Sequence, residues 1–150
     1  MRELRKKNPI FLTLAVLGLC ASPAIALAVD CIGYTSWTAS SGNWFTGTNW
    51  SNDVPNSSKS AQINNGGTAT IGSTGTDAES CDLTLGANAT ESGTLVVDDG
   101  VLAISFDAAV GGYGTGVLRI KNGGTVTAAL ARIAKVAGSN GAANVDTNSH

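Results

Sequence analysis

A degenerate repeat with a period of 23 to 25 residues constrains the fold of this chain more than any other feature. Three copies start near residues 83, 108 and 131, and the third reaches residue 146. The aligned positions include Leu85, Val110 and Ile133, followed by Gly93, Gly116 and Gly141. Self-similarity at such a fixed period is typical of stacked-coil solenoids. The repeat therefore predicts an architecture rather than a biochemical activity.

Apolar and polar residues alternate within each copy, as expected for strands that place successive side chains on opposite faces. Turns are predicted at residues 98–100 and 122–124, where glycine tolerates positive φ. The predicted inward columns are Leu85 with Val110 and Ile133, Leu95 with Leu118 and Ala143, Val97 with Ile120 and Val145, Leu102 with Val126, and Ile104 with Ala128. Three short strands and three turns per coil predict an all-β fold, a parallel β-helix of about 2.5 to 4 coils.

The alanine-rich segment 127–137 admits two interpretations. Leu130, Ile133, Ala134 and Ala137 would share one face of an amphipathic helix. The repeat register instead predicts a strand.

The chain divides into three parts by composition. Residues 1–28 combine a basic start, an apolar run over 10–19 and a small-x-small site at 26–28, the pattern of a helical secretory signal peptide. Residues 29–58 contain all three tryptophans, and residues 59–150 carry the β-helix repeats, which we expect to be truncated at the C-terminus. The apolar run is too short to span a bilayer, so we expect no stable membrane span after cleavage.

Trp37, Trp44 and Trp50 lie in a segment rich in Gly, Asn and Ser. The first coil of a solenoid has no outer neighbour, so its apolar cross-section needs a cover. These tryptophans are therefore predicted to cap the repeats. In the alternative they form an exposed platform that stacks on glycan rings. Between them and the repeats, residues 60–63 and 68–71 predict two strands around an Asn/Gly turn, and residues 72–80 predict a loop.

Charge and cysteine content bound the function. After residue 28 the chain has five basic and ten acidic side chains, a net charge of −5 that gives nucleic acid binding no basic patch. Cys31 and Cys81 could form a disulfide in an oxidising compartment, or both could be free thiols. Either way, two cysteines without nearby histidines do not form a zinc site.

The search for catalytic chemistry finds no convincing constellation. The single histidine is His150, so no Ser–His–Asp or Cys–His arrangement is expected. Asp98 and Asp99 fall in a predicted turn, and Asp77, Glu79 and Asp82 could at most hold an ion weakly. Residues 111–116 are glycine-rich but lack the spacing of a phosphate loop. We therefore expect no catalytic residue, no cofactor and no metal.

Two motifs carry a family resemblance. The stretches Gly-Thr-Leu-Val-Val-Asp-Asp-Gly at 93–100 and Gly-Val-Leu-Arg-Ile-Lys-Asn-Gly-Gly at 116–124 resemble the autotransporter/PEP-CTERM-associated repeat. The stretch before them, with Gly-Asn-Trp at 42–44, Thr-Asn-Trp-Ser at 48–51 and Val-Pro at 54–55, is similar to the entry into such repeats in bacterial envelope proteins. The resemblance implies a right-handed parallel β-helix, exported and displayed at the cell surface or released, and it brings no catalytic residues.

Three functional hypotheses follow. The first is an exported, non-enzymatic β-helix with a structural or adhesin-like display role, located in the periplasm, at the outer surface or outside the cell. The second is a glycan-binding or polysaccharide-active β-helix, and the third is a truncated gene product without independent function. Cell-surface glycans, other envelope proteins and edge-to-edge copies of the chain are the expected partners.

Overall fold

The computed structural model describes residues 30–146, and the predicted signal peptide and His150 lie outside this range. The described chain forms eleven strands, β1 to β11, and a short 3-10 helix at Gly47–Asn49. In chain order the strands are Tyr34–Ser36, Ser41–Asn43, Ser60–Ile63, Asn65–Gly72, Ala78–Ser80, Leu83–Leu85, Ser92–Asp98, Val101–Val110, Thr115–Lys121, Thr125–Ile133 and Asn140–Asp146.

The strands stack into two parallel sheets that face each other across an apolar interior. One sheet has the order β1-β3-β6-β8-β10, with β5 also paired to β8, and the other has the order β11-β9-β7-β4-β2. Each turn contributes to one sheet and then to the other, which gives about five turns. The predicted β-solenoid class is confirmed. The stack has more turns than predicted because residues 30–58 form a turn of their own and residues 59–72 form another.

Three details of the sequence prediction are wrong. Only the third turn has three strands, β5, β6 and β7; the other turns have two, because β8 and β10 each continue through the bend near Phe106, where their register shifts. The strands at 60–63 and 65–72 belong to different sheets and do not form a hairpin. The predicted loop 72–80 contains β5, which pairs with β8.

Of the alanine-rich segment 127–137, residues 127–133 form a strand, as the repeat register predicts, and belong to β10. The helix interpretation fails there because this segment pairs along its length with β8 and extends the existing ladder.

The predicted inward columns are confirmed by the strand register. Leu95 pairs with Leu118 and Leu118 with Ala143, and Val97, Ile120 and Val145 follow one another in the same way. Burial of these columns falls along the stack: Val97 is fully buried, whereas Val145 is 62% exposed. We call the edge formed by β10 and β11 the tail end, and the edge formed by β1, β2 and the three tryptophans the head end.

Glycine at position 93 is required by the close approach of two turns. A Cβ atom built on Gly93 would overlap the carbonyl oxygen of Ile63 in the preceding turn, and one on Gly141 would overlap that of Val110. The backbone at these repeat positions therefore lies too close to the previous turn for any side chain. This contact explains why the repeat keeps a glycine there.

We predict that Gly93→Ala lowers the free energy of unfolding by about 1–3 kcal/mol or more, because the neighbouring carbonyl belongs to a paired strand and cannot move freely. Gly47→Ala is the matched control, since nothing lies within 4 Å of the position of its Cβ. Chemical denaturation of both variants measures the difference. Equal stability of the two variants would contradict the predicted close packing of turns.

Candidate functional site

The three tryptophans form one buried cluster at the head end. Trp37, Trp44 and Trp50 are 1%, 0% and 5% exposed. The ring of Trp50 lies edge-on to those of Trp37 and Trp44, with interplanar angles of 79° and 76° and centroid distances of 5.0 and 4.8 Å. Its Nε1 donates a hydrogen bond to the Trp44 carbonyl oxygen at 2.7 Å. The rings belong to the same core as Ala61 and Ile63 of β3.

The glycan platform, the alternative interpretation of Trp37, Trp44 and Trp50, is therefore wrong, and the three rings pack against the first coil as the capping prediction requires. Stacking on a sugar ring needs exposed aromatic faces, and these rings are buried and nearly perpendicular to one another. Edge-to-face packing of large apolar rings is favourable in a dry core. The cluster fills the interior of the first turn, which the same segment builds with β1 and β2.

The predicted pairing of Cys31 with Cys81 is confirmed, and the free-thiol interpretation is wrong. Their sulfur atoms are bonded, and the two residues are 50 positions apart in sequence. Cys81 lies between β5 and β6, whereas Cys31 precedes β1. The bond thus ties the start of the described chain to the third turn of the stack.

The two neighbouring acidic residues Asp98 and Asp99 have different roles in the fold. Asp98 accepts a hydrogen bond from Asn122 Nδ2 at 2.6 Å and pairs with Lys121 Nζ at 2.9 Å, both in the next turn. The hydrogen bonds from Asn122 and Lys121 lower the pKa of Asp98 below its ordinary value of 3.8. Asp99 occupies the left-handed region at a φ of 55° and turns the chain toward Gly100. Asp98 thus links neighbouring turns across their outer face.

This link predicts a small pH-dependent contribution to stability. A carboxyl group whose pKa is lowered on folding stabilises the folded state above its unfolded pKa, and this contribution is lost as the pH falls through the folded value. We therefore expect Asp98→Asn to lower the unfolding midpoint at neutral pH and to make no difference well below pH 3.8. Thermal unfolding at several pH values measures this, and Lys121→Gln should reproduce part of the effect. If the unfolding midpoint of the wild type exceeded that of Asp98→Asn by the same amount in strong acid as at neutral pH, this expectation would be contradicted.

The acidic residues before the repeats are not brought together as one site. Asp77 and Asp99 line a shallow cavity of about 180 Å³ between loop 73–77 and residues 99–101. Asp82 is instead engaged elsewhere: its Oδ1 accepts the Asp107 backbone N–H at 3.0 Å and its Oδ2 the Ser60 hydroxyl at 3.2 Å. Within residues 30–146, no group of three or more His, Cys, Asp or Glu side chains is placed to hold a metal ion.

The glycine-rich turn at 111–116 stacks on the turn before it. The backbone N–H groups of Gly111 and Gly112 donate to the Leu85 carbonyl oxygen at 3.0 and 3.1 Å, and that of Gly114 donates to the Gly86 carbonyl at 3.0 Å. These amides are thus used in holding two turns together. This agrees with its interpretation as a solenoid turn and not as a phosphate loop.

A polar column that sequence reasoning missed runs along the outer surface. Asp82, Asp107 and Arg132 are spaced by 25 residues and occupy successive turns. Arg132 forms two hydrogen bonds to the Asp107 carboxylate, at 3.0 and 2.6 Å, and Lys135 lies 3.9 Å from it. The 25-residue spacing, which matches the repeat period, was the available signal. Like Asp98 with Lys121, the column joins one turn to the next.

These features define the class of the protein as an all-β solenoid of stacked parallel strands. No protein family, curated protein or solved structure matches the chain. Over residues 30–146, no helix is long and apolar enough to cross a membrane.

Proposed function

We propose that this chain is an exported, non-enzymatic scaffold that displays the outward side chains of its stacked turns at a bacterial cell surface, in a structural or adhesin-like role. The observation that carries the proposal is the division of the strands into two faces. On β7, for example, Gly93, Leu95 and Val97 point into the core while the residues between them face outward. The outward positions can therefore vary without loss of the core.

The disulfide supports the export part of the proposal. Disulfides form and persist mainly in oxidising environments such as the periplasm and the cell exterior. Cys31 lies just after the predicted signal peptide, and its bond to Cys81 joins two positions that are 50 residues apart in sequence. The resemblance to autotransporter/PEP-CTERM-associated repeats points in the same direction. Envelope proteins and cell-surface glycans are the proposed partners of the outward face.

The outer polar links support the scaffold part of the proposal. Ion pairs between neighbouring turns, such as Asp98 with Lys121 and Asp107 with Arg132, lie on the surface and not in the core. Exposed ion pairs contribute little to stability because solvent screens them, so together they align the turns more than they stabilise them. A repeat stack held by contacts between neighbouring turns forms an extended surface suited to binding.

An epitope placed in loop 73–77 tests display directly. This loop is exposed, and Gly75 has open space around it, so an inserted peptide after Gly75 should leave the fold intact. When the tagged chain is made in a bacterial host, we expect antibody to label intact cells or the culture medium. The same tagged chain lacking residues 2–28 is the control and should be labelled only after lysis. Labelling of the full chain only after lysis would contradict surface display.

A further inference from the structure

The two cysteines of the disulfide differ in their access to solvent. Cys81 is fully buried between β5 and β6. Its N–H donates to the Lys59 carbonyl oxygen at 3.2 Å, and its own carbonyl oxygen accepts the Phe106 N–H at 3.0 Å. Cys31 precedes β1 and is exposed. A thiol in solution can therefore reach the sulfur of Cys31, whereas the surrounding turns cover that of Cys81.

A carboxylate lies beside the exposed sulfur. The Oδ2 atom of Asp82 is 3.2 Å from the Cys31 sulfur. The hydrogen bonds that this carboxylate accepts come from neutral donors, the Ser60 hydroxyl and the Asp107 backbone N–H. Over residues 30–146, no lysine or arginine forms an ion pair with it. No cation in direct contact therefore balances the charge of Asp82 at the sulfur that solvent reaches.

The other charged groups around the bond do not replace that missing cation. Arg132 is bonded to the Asp107 carboxylate in the next turn, at 3.0 and 2.6 Å. The Nζ atom of Lys59 is directed to the other side, where it lies 3.9 Å from Asp53. Asp30, directly before the exposed cysteine, is itself exposed and adds negative charge. The surroundings of the exposed sulfur are therefore negatively charged.

We propose that the disulfide exchanges with external thiols only at Cys31, and that Asp82 makes this site selective for thiols that carry a positive charge. A thiolate attacks the Cys31 sulfur and forms a mixed disulfide there, while the bond to Cys81 breaks and the Cys81 sulfur takes the electron pair. This leaving thiolate forms in a buried site, where a charge is disfavoured. Asp82 repels the approaching thiolate unless the reagent carries a cation of its own. Anionic thiols therefore react slowest with the bond.

Peptide mass spectrometry of the trapped intermediate tests the site of exchange. The full chain carries Cys20→Ala, so that its third cysteine takes no part. Cysteamine, a thiol with an ammonium group, is added to the folded protein, and acid stops the exchange at an early time. Free thiols are then alkylated in denaturant. We expect cysteamine on Cys31 and the alkyl group on Cys81, and the reverse pattern or equal amounts of both would overturn the proposal.

The charge of the thiol tests the role of Asp82. The folded protein is reduced at low ionic strength by cysteamine and, separately, by 2-mercaptoethanesulfonate, a small thiol that carries an anion. The rate with cysteamine divided by the rate with the sulfonate should be about fivefold or more lower in Asp82→Asn than in the wild type, because a unit charge at contact distance is removed. Comparing the two ratios cancels the intrinsic reactivity of each reagent. Asp99→Asn, in the turn before β8, is the matched control and should keep the wild-type ratio.

Salt provides a second measurement that needs no substitution of Asp82. High ionic strength screens exposed charges, so the wild-type ratio should approach that of Asp82→Asn. Circular dichroism checks that the variants are folded, and asparagine keeps an oxygen that can accept the Asp107 N–H. A ratio that neither salt nor Asp82→Asn changes, or that Asp99→Asn lowers equally, would overturn the proposal. None of these outcomes bears on surface display, which the epitope experiment tests separately.

Discussion

Replacing Trp50 with alanine is expected to lower the free energy of unfolding by about 3–5 kcal/mol, the usual cost of truncating a buried tryptophan. Trp50 is 5% exposed and contacts both other tryptophan rings. The substitution removes two edge-to-face contacts and the hydrogen bond to the Trp44 carbonyl, and it leaves a large cavity in the first turn. Domains of this size are stable by only about 5–15 kcal/mol, so the loss is a large fraction of the total.

Chemical denaturation measures this loss, and two further variants define its cause. Trp50→Phe keeps an apolar ring but lacks the Nε1 donor, so its stability should fall between those of the wild type and Trp50→Ala. Tyr34→Ala removes an aromatic ring that is 60% exposed and should cost about 0.5 kcal/mol or less. If Trp50→Ala proved as stable as Tyr34→Ala, the tryptophan cluster would not be part of the core.

Removing the disulfide is expected to lower the free energy of unfolding by about 4 kcal/mol. The estimate comes from the chain entropy that a cross-link across about 50 residues removes from the unfolded state. Cys31 and Cys81 are 50 residues apart, and the bond also ties the first turn to the third. The double variant Cys31→Ala/Cys81→Ala removes the bond with a small change in volume.

Denaturation with and without a thiol reductant measures the effect of the bond. The wild type should lose most of this stability on reduction, whereas the double variant, which has no bond between these positions, should not respond. An unfolding midpoint of the wild type that reductant leaves unchanged would show that the bond does not constrain the unfolded chain.

The sequence predicted the later turns well because their register repeats without interruption. Leu95, Leu118 and Ala143 fall on one column as aligned, since each pair of strands is in parallel register at that point. The first two turns were not recognised as copies of the repeat because its register is interrupted there: Gly67 precedes Thr68 as Gly93 precedes Thr94, but the pairing of β4 with β7 shifts between Asn65 and Thr68. Ser60 pairs with Tyr34, at a spacing similar to the repeat period, but nothing in the sequence of these strands marks the pairing.

The candidate sites were harder to predict than the fold. The glycan platform depended on the exposure and orientation of three rings, which packing determines and residue spacing does not. Asp107 and Arg132 are 25 residues apart, which matches the repeat period and could have predicted their contact. The alignment considered only apolar positions and therefore missed it. The disulfide left two possibilities open because only the fold shows that Cys31 and Cys81 lie 5.6 Å apart at Cα.

If the inward columns hold the fold while the outward positions are free for display, two neighbouring residues on one strand should differ sharply in their effect on stability. Val101 and Leu102 are adjacent aliphatic residues on β8, with exposed fractions of 36% and 0%. We predict that Leu102→Ala lowers the free energy of unfolding by about 2–5 kcal/mol and that Val101→Ala changes it by about 0.5 kcal/mol or less. Equal losses for the two variants, or a larger loss for Val101→Ala, would contradict the division into an inward and an outward face.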